Sequence, residues 1–281
     1  MYLPPDYETS TSKRYPVVYA HWGQLMFNYH GKDDEWRLDQ LLNDAFRNNS
    51  SCDILQWGLI IVAIEALPTK LLSNMEYIVS RDDDGCHSQN LIRTFSGSFK
   101  RHIHANFRTL NQWDYTTVIG YGTAGGLVFD LMTKYYQKFG KFIILSWILD
   151  EECCESEVEI NDALATSRLF RSGSKNTTKK PRLFPKVFFT WTTNEEPAEI
   201  TRARDNAKGL KYRGMPPSNI YVDPVNSTAT ATFYGAQTMK AFCWLFNNQS
   251  AESYSDLAPW WDEEQSIDGN NQNTTIKILP M

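Results

Sequence analysis

The residues best placed to do chemistry lie in a glycine-rich turn, VIGYGTAGGL, at residues 118–127. An apolar run enters this turn and a helical pattern leaves it, so backbone N–H groups are exposed at the start of a helix. A phosphate-binding loop is disfavoured, because no lysine follows in the P-loop arrangement and the glycines miss the G-x-G-x-x-G spacing. The turn is closer to the G-x-S-x-G pattern, in which a sharp turn presents a nucleophilic serine for acyl transfer.

Two alignments of that pattern are open. The run Thr123-Ala124-Gly125-Gly126 fits S-A-G-G in phase with the helix and places the nucleophile at Thr123. The run Gly120-Tyr121-Gly122 fits the first half one residue earlier and places Gly122 there. Neither alignment contains serine. A threonine hydroxyl can attack in principle, but its additional methyl group crowds a strained turn.

Serine-type acyl transfer also needs a general base, usually a histidine within hydrogen-bond reach of the nucleophile. All the histidines of this chain lie at or before residue 104: His21, His30, His87, His102 and His104. His21 is nearest the predicted site. His102 and His104 are expected on a solvated helix surface, and His87 in a solvated acidic loop rather than a metal site.

Predicted strands and helices alternate around this turn. Strands are predicted at 16–20, 59–66, 115–120, 142–149, 186–191 and 219–223, and helices at 34–48, 99–107, 127–135, 200–212 and 234–246. This order predicts an α/β fold with a doubly wound, mostly parallel sheet and helices on both faces.

Composition narrows the class of protein. The chain has 281 residues, is 42% hydrophobic and carries a net charge of −5, which makes nucleic acid a poor candidate for a partner. No apolar run has the length of about 18–20 residues that spans a membrane. We expect a single domain over 1–246, in which 151–181 is a lid-like or disordered insert. The polar tail at 247–281 contains Trp260 and Trp261, which we expect to dock on the domain.

Cysteines, glycosylation sequons and the first residues leave two cellular compartments possible. The five cysteines are odd in number and form no C-x-x-C pair, which disfavours a zinc ribbon or a redox motif. Six N-glycosylation sequons occur, at Asn48, Asn49, Asn176, Asn226, Asn248 and Asn273. The charged start is no signal peptide. A genuine start would imply a cytoplasmic protein, and a missing upstream leader a secreted one.

At these residues the chain resembles a known family, the esterase D and enterochelin-esterase-like branch of the α/β-hydrolases. The segment MYLPPDYETSTSKRYPVVYAHWG resembles the family's opening motif, which one or two antiparallel strands normally precede, and the segment from Phe99 to Gly126 resembles its nucleophile region. PKVFFTWTTNEE, at 185–196, resembles the strand and turn that bring the family's acid. The likeness extends to about Phe246. It begins abruptly, so we expect a truncated product or a fragment.

The resemblance implies a catalytic serine, acid and histidine in that order along the chain. The serine falls on Thr123 or Gly122 and the acid on Glu195, for which an exposed loop carboxylate is an equal alternative. No histidine stands between 219–223 and the last helix. The implied oxyanion donors are Gly23 and Ala124. No metal or other cofactor is implied.

Three hypotheses follow. The first is an α/β-hydrolase-like protein without serine-hydrolase activity, acting as a binding or interaction module for a small acyl or ester ligand. The second is a carboxylic-ester hydrolase or acyltransferase that uses Thr123, Glu195 and an unexpected base such as His21. The third is a truncated product without independent function. The oligomeric state is not predicted.

Overall fold

Six apolar, mostly β-branched runs form the central sheet. The computed structural model describes residues 1–27, 34–69, 76–77, 88–147 and 184–247. Its strands are β1 (Val17–His21), β2 (Ile60–Ile64), β3 (Thr116–Tyr121), β4 (Lys141–Leu145), β5 (Lys186–Thr192) and β6 (Ile220–Val225). Each lies within about two residues of a predicted strand, except that β4 ends earlier than predicted.

All six strands are parallel, in the order β2-β1-β3-β4-β5-β6. The order reverses direction between β1 and β3, since β2 lies on the outer side of β1. The prediction of a doubly wound, mostly parallel sheet is therefore confirmed. Ligands of such sheets bind beyond the carboxyl ends of the strands near this switch point.

Seven helices of the described ranges accompany the sheet. They are α1 (Leu38–Arg47), α2 (Asp53–Trp57), α3 (Ser88–Thr94), α4 (Lys100–Asn106), α5 (Ala124–Tyr135), α6 (Pro197–Tyr212) and α7 (Ala231–Phe246). A π-helical turn at Phe95–Phe99 joins α3 to α4 in one continuous helical stretch. The predictions missed α2 and α3. With five residues, α2 is too short to display a helical period.

Apolar side chains cover both faces of the sheet. On one face, side chains of α1, α2 and α7 pack on strand residues such as Val18, Ile119 and Phe188. On the other face, α3 to α6 pack on residues such as Tyr19 and Val118. Strands buried on both sides explain why the strand runs are continuously apolar instead of alternating.

A disulfide joins Cys52 to Cys243 across 191 residues of sequence, with the two Cα atoms 5.6 Å apart. Cys52 stands directly before α2 and Cys243 lies on α7, so the bond ties two helices that pack on the same face. Spacing along the chain gave no sign of this pairing. Cys86, Cys153 and Cys154 lie outside the described residues, as do the insert at 151–181 and the tail after Asn247.

Of the six sequons, those at Asn48, Asn49 and Asn226 fall in described parts of the chain. Across the described ranges, no helix combines the length and apolar character needed to cross a membrane.

Candidate active site

Parallel strands bring distant parts of the chain to one edge of the sheet. β3 has β1 on one side and β4 on the other, and β5 follows β4. The residues that come directly after these strands therefore meet at the carboxyl edge: Trp22 and Gly23, Gly122 and Thr123, Ser146, and the turn that carries Glu195. This edge contains the residues that the sequence marked as a candidate site.

The sharp turn between β3 and α5 falls on Gly122. Its φ is +58°, a left-handed conformation that favours glycine, whereas Thr123 has an ordinary right-handed φ of −62°. The strand and the helix approach closely, since a Cβ on Gly120 would lie 2.4 Å from the carbonyl oxygen of Ala124. Of the two alignments left open by the sequence, the backbone geometry favours the one with Gly122 at the elbow.

The hydroxyl of Thr123 is enclosed. The residue is only 9% exposed, and Oγ1 has no hydrogen-bond partner among the described residues. A nucleophilic hydroxyl is normally recognised by its hydrogen bond to a base. This contact is absent for Thr123 in the described part of the chain.

His21, at the end of β1, is completely buried. Its ring packs edge-on against Phe95 and Tyr77, with centroid separations of 4.8 and 5.7 Å. The side chain is fully buried and neither ring nitrogen has a hydrogen-bond partner in the described ranges. Burial lowers the pKa of His21 to about 3, which disfavours a role as the base.

The remaining described histidines lie on α4. His102 is exposed, as predicted, but the prediction of a solvated His104 is wrong. The residue is partly buried: its Nδ1 lies 2.5 Å from Thr109 Oγ1, and its Nε2 is buried without a hydrogen-bond partner among the described residues. His30 and His87 lie outside the described residues. Among the residues that are described, no group of three His, Cys, Asp or Glu is arranged to hold a metal ion.

Glu195 is a half-buried, fixed carboxylate, so the alternative of an exposed loop residue is wrong. Its Oε1 accepts hydrogen bonds from the Thr192 N–H at 2.8 Å and the Thr192 hydroxyl at 3.3 Å. It also accepts one from the Ser146 hydroxyl at 2.5 Å. One oxygen with three donors holds the side chain in a single orientation.

Sequence patterns did not predict the hydroxyls that surround this carboxylate. Ser146 stands after β4 with a φ of +45°, and it accepts a hydrogen bond from the Tyr234 hydroxyl at 2.9 Å. Tyr234, near the start of α7, packs against Tyr121 and stacks on Trp36, with centroids 4.7 and 5.3 Å apart. Burial raises the pKa of both tyrosines, so their hydroxyls stay protonated. The available signal was a serine inside the otherwise apolar run that predicted a strand at 142–149.

Backbone donors are present at the same edge. Gly23 cannot carry a side chain, since a Cβ would lie 2.6 Å from the Ile64 nitrogen. The N–H groups of Thr123 and Ala124, at the start of α5, have no acceptor among the described residues. Such groups can bind an oxyanion or a carboxylate.

Together, the parallel sheet, the switch point and the strand–turn–helix at Gly122 define the α/β-hydrolase class. The family model described as "Putative esterase" matches residues 1–273. The chain belongs to this esterase family. No curated protein matches it.

Solved structures support the fold. A serine-to-alanine mutant of the feruloyl esterase module from Clostridium thermocellum, in complex with sinapinate, has a TM-score of 0.61 at 17% identity, over 89% of this chain and 83% of that one. The enterobactin and salmochelin hydrolase IroE has a TM-score of 0.56 at 14% identity, over 87% of this chain and 84% of that one. The S-formylglutathione hydrolase FrmB from Staphylococcus aureus has a TM-score of 0.54 at 12% identity, over 87% of this chain and 91% of that one.

Proposed function

We propose that this esterase-family protein binds a small acyl or ester compound at the carboxyl edge of its sheet without cleaving it by serine-type chemistry. The observation that carries the proposal is the elbow itself. The left-handed residue is Gly122, which has no side chain, and the neighbouring Thr123 hydroxyl has no partner in the described ranges.

The kinetic consequence follows from how triads work. Nucleophile and base act as a unit, and removing either one lowers the turnover number by several orders of magnitude. What is left is binding and oxyanion stabilisation, which give about 10³–10⁴-fold over water in a serine protease without its triad. We therefore expect a ligand-binding protein with little or no turnover.

Three groups would recognise the ligand. The free N–H groups of Thr123 and Ala124 suit a carboxylate or carbonyl oxygen. The half-buried Tyr121 ring offers an apolar face. An aromatic acid suits both features, and sinapinate, which the Clostridium thermocellum module binds, is the natural first probe.

Fluorophosphonate labelling tests the loss of chemistry. We expect no covalent label on the wild-type protein, and we expect any residual hydrolysis of p-nitrophenyl acetate to be unchanged in Thr123→Ala. Labelling that disappears in Thr123→Ala would overturn the proposal and support an ester hydrolase or acyltransferase that uses Thr123.

Binding is tested separately, by titrating the protein with sinapinate and following tryptophan fluorescence. We expect saturable quenching of the wild-type fluorescence. In Tyr121→Ala we expect the affinity for sinapinate to fall about tenfold, because a contact with the tyrosine ring is lost. Tyr212→Ala is the matched control, because Tyr212 is 74% exposed and lies at the end of α6. Equal affinities of Tyr121→Ala and Tyr212→Ala would contradict this location for the ligand.

A further inference from the structure

A cleft lies at the edge of the sheet opposite the candidate active site. It has a volume of about 610 Å³ and is lined by the π-helical turn, by α4, by Asn111 ahead of β3 and by Lys138 ahead of β4. Helix α5 separates the two sites. Its 12 residues run from the elbow toward the amino edge, a length of about 18 Å.

The lining of this cleft is strongly basic. Lys100, Arg101 and Lys138 line it together with His104, and no carboxylate is among the lining residues. In the described part of the chain, none of these three cations forms an ion pair with Asp or Glu. Three positive charges around one concavity favour an anionic occupant.

Hydrogen bonds to backbone carbonyls hold the cations in place. Lys100 Nζ donates to the Lys138 carbonyl at 2.8 Å, and Lys138 Nζ donates to the Ser96 carbonyl at 2.9 Å. Arg101 Nε donates to the Gly97 carbonyl at 3.3 Å. Two of these acceptors belong to the π-helical turn, a feature that is frequent at functional sites.

The two lysines are held together although their charges repel. Burial, and then the positive charge of Lys138, lower the pKa of Lys100 to about 8. Lys138 Nζ also donates to the Ser96 hydroxyl at 3.4 Å, and each lysine still has at least one N–H group that these contacts do not use. A doubly charged oxyanion between them would remove the repulsion and accept those donors.

We propose that this cleft binds a small molecule that carries a phosphate or sulfate group. Lys100, Lys138 and Arg101 would hold the oxyanion, and the exposed Asn111 amide would contact the rest of the molecule. The volume is within the range of small-molecule sites. The cleft also has room above Gly97, where a Cβ would meet no atom within 4 Å. This site does not depend on the function proposed for the carboxyl edge.

Titration calorimetry with sodium pyrophosphate, at constant ionic strength set by sodium chloride, tests the site on the full-length protein. We expect saturable binding that is weakened about tenfold or more in Lys100→Gln/Lys138→Gln. Arg101→Gln removes an exposed charge with little risk to folding, and we expect it to weaken binding as well. Arg47→Gln/Arg213→Gln, on α1 and after α6, is the charge-matched control and should bind as the wild type does.

Sulfate and citrate extend the test to other anions. A tetrahedral oxyanion site binds sulfate as well, whereas stronger binding of citrate than of pyrophosphate would overturn the proposal in favour of a carboxylate site. Absence of saturable pyrophosphate binding, or an equal loss of affinity in the cleft variants and the control, would also overturn it. Circular dichroism spectra of every variant establish that the variants are folded.

Discussion

At the scale of single residues, Gly120 shows how tightly the elbow is packed. An added Cβ would approach the Ala124 carbonyl oxygen to 2.4 Å, and backbone cannot yield as a side chain can. We expect Gly120→Ala to lower the free energy of unfolding by about 2–3 kcal/mol. Gly97→Ala is the control because its Cβ would meet open space, and we expect no loss. Urea unfolding measures both, and equal losses would contradict the packing argument.

The hydroxyl chain at the candidate site makes a second prediction at this scale. Ser146→Ala leaves the buried Tyr234 hydroxyl without its acceptor and Glu195 without a donor. We expect a loss of about 1–3 kcal/mol of unfolding free energy. We expect the double variant Ser146→Ala/Tyr234→Phe to lose less unfolding free energy than the sum of the losses in the two single variants, by about 0.5–2 kcal/mol. Additive losses would mean that the two hydroxyls do not act as one network.

At the scale of elements, the disulfide ties α2 to α7 across most of the chain. We expect Cys52→Ser/Cys243→Ser to lower the free energy of unfolding by about 2–4 kcal/mol, because the unfolded chain loses a long covalent loop. Denaturant unfolding with and without dithiothreitol measures this. The reductant should destabilise the wild type and leave the double variant unchanged. If dithiothreitol destabilised both proteins to a similar extent, its effect would come from other cysteines, and the prediction would be contradicted.

Most of the strands were predictable because a strand that is buried on both faces has a continuous apolar sequence, which is easy to recognise. The strand at 59–66 and the one at 186–191 are examples. The end of β4 was not predictable, because Leu145 and Trp147 continue the apolar run on either side of Ser146. The strand ends where Ser146 adopts a left-handed conformation, and the hydroxyl of Ser146 makes long-range contacts with Tyr234 and Glu195.

The candidate site was predictable only in part. Its position at the elbow and the choice of Glu195 as candidate acid follow from local sequence and from the resemblance. The choice between Gly122 and Thr123 depends on a backbone angle that the residue types left open. The contacts of Tyr234 with Ser146 join residues 88 positions apart, and no local pattern encodes such a distance.

At the scale of the whole molecule, the buried His21 makes stability depend on pH. Its pKa is about 3 in the folded protein against 6.5 in an unfolded chain, so the unfolded state binds the proton more readily. His21 therefore has almost no effect on stability at pH values well above 6.5. As the pH falls from 6.5 toward 3, it lowers the free energy of unfolding by about 1.4 kcal/mol per pH unit.

Urea unfolding at several pH values checks this dependence. We expect His21→Phe to have a shallower acid slope than the wild type. His104, whose pKa burial lowers to about 4, contributes to both proteins and cancels in the comparison. Parallel slopes for wild type and His21→Phe would contradict the assignment to His21.

The bond between Cys52 and Cys243 also determines how the molecule responds to a protease. Any single cut of the backbone between these two positions leaves the two fragments covalently joined, including a cut in the insert at 151–181. We expect such nicked protein to migrate as one species on a non-reducing gel and as two after reduction. Fragments that separate without reductant would show that the bond is not formed.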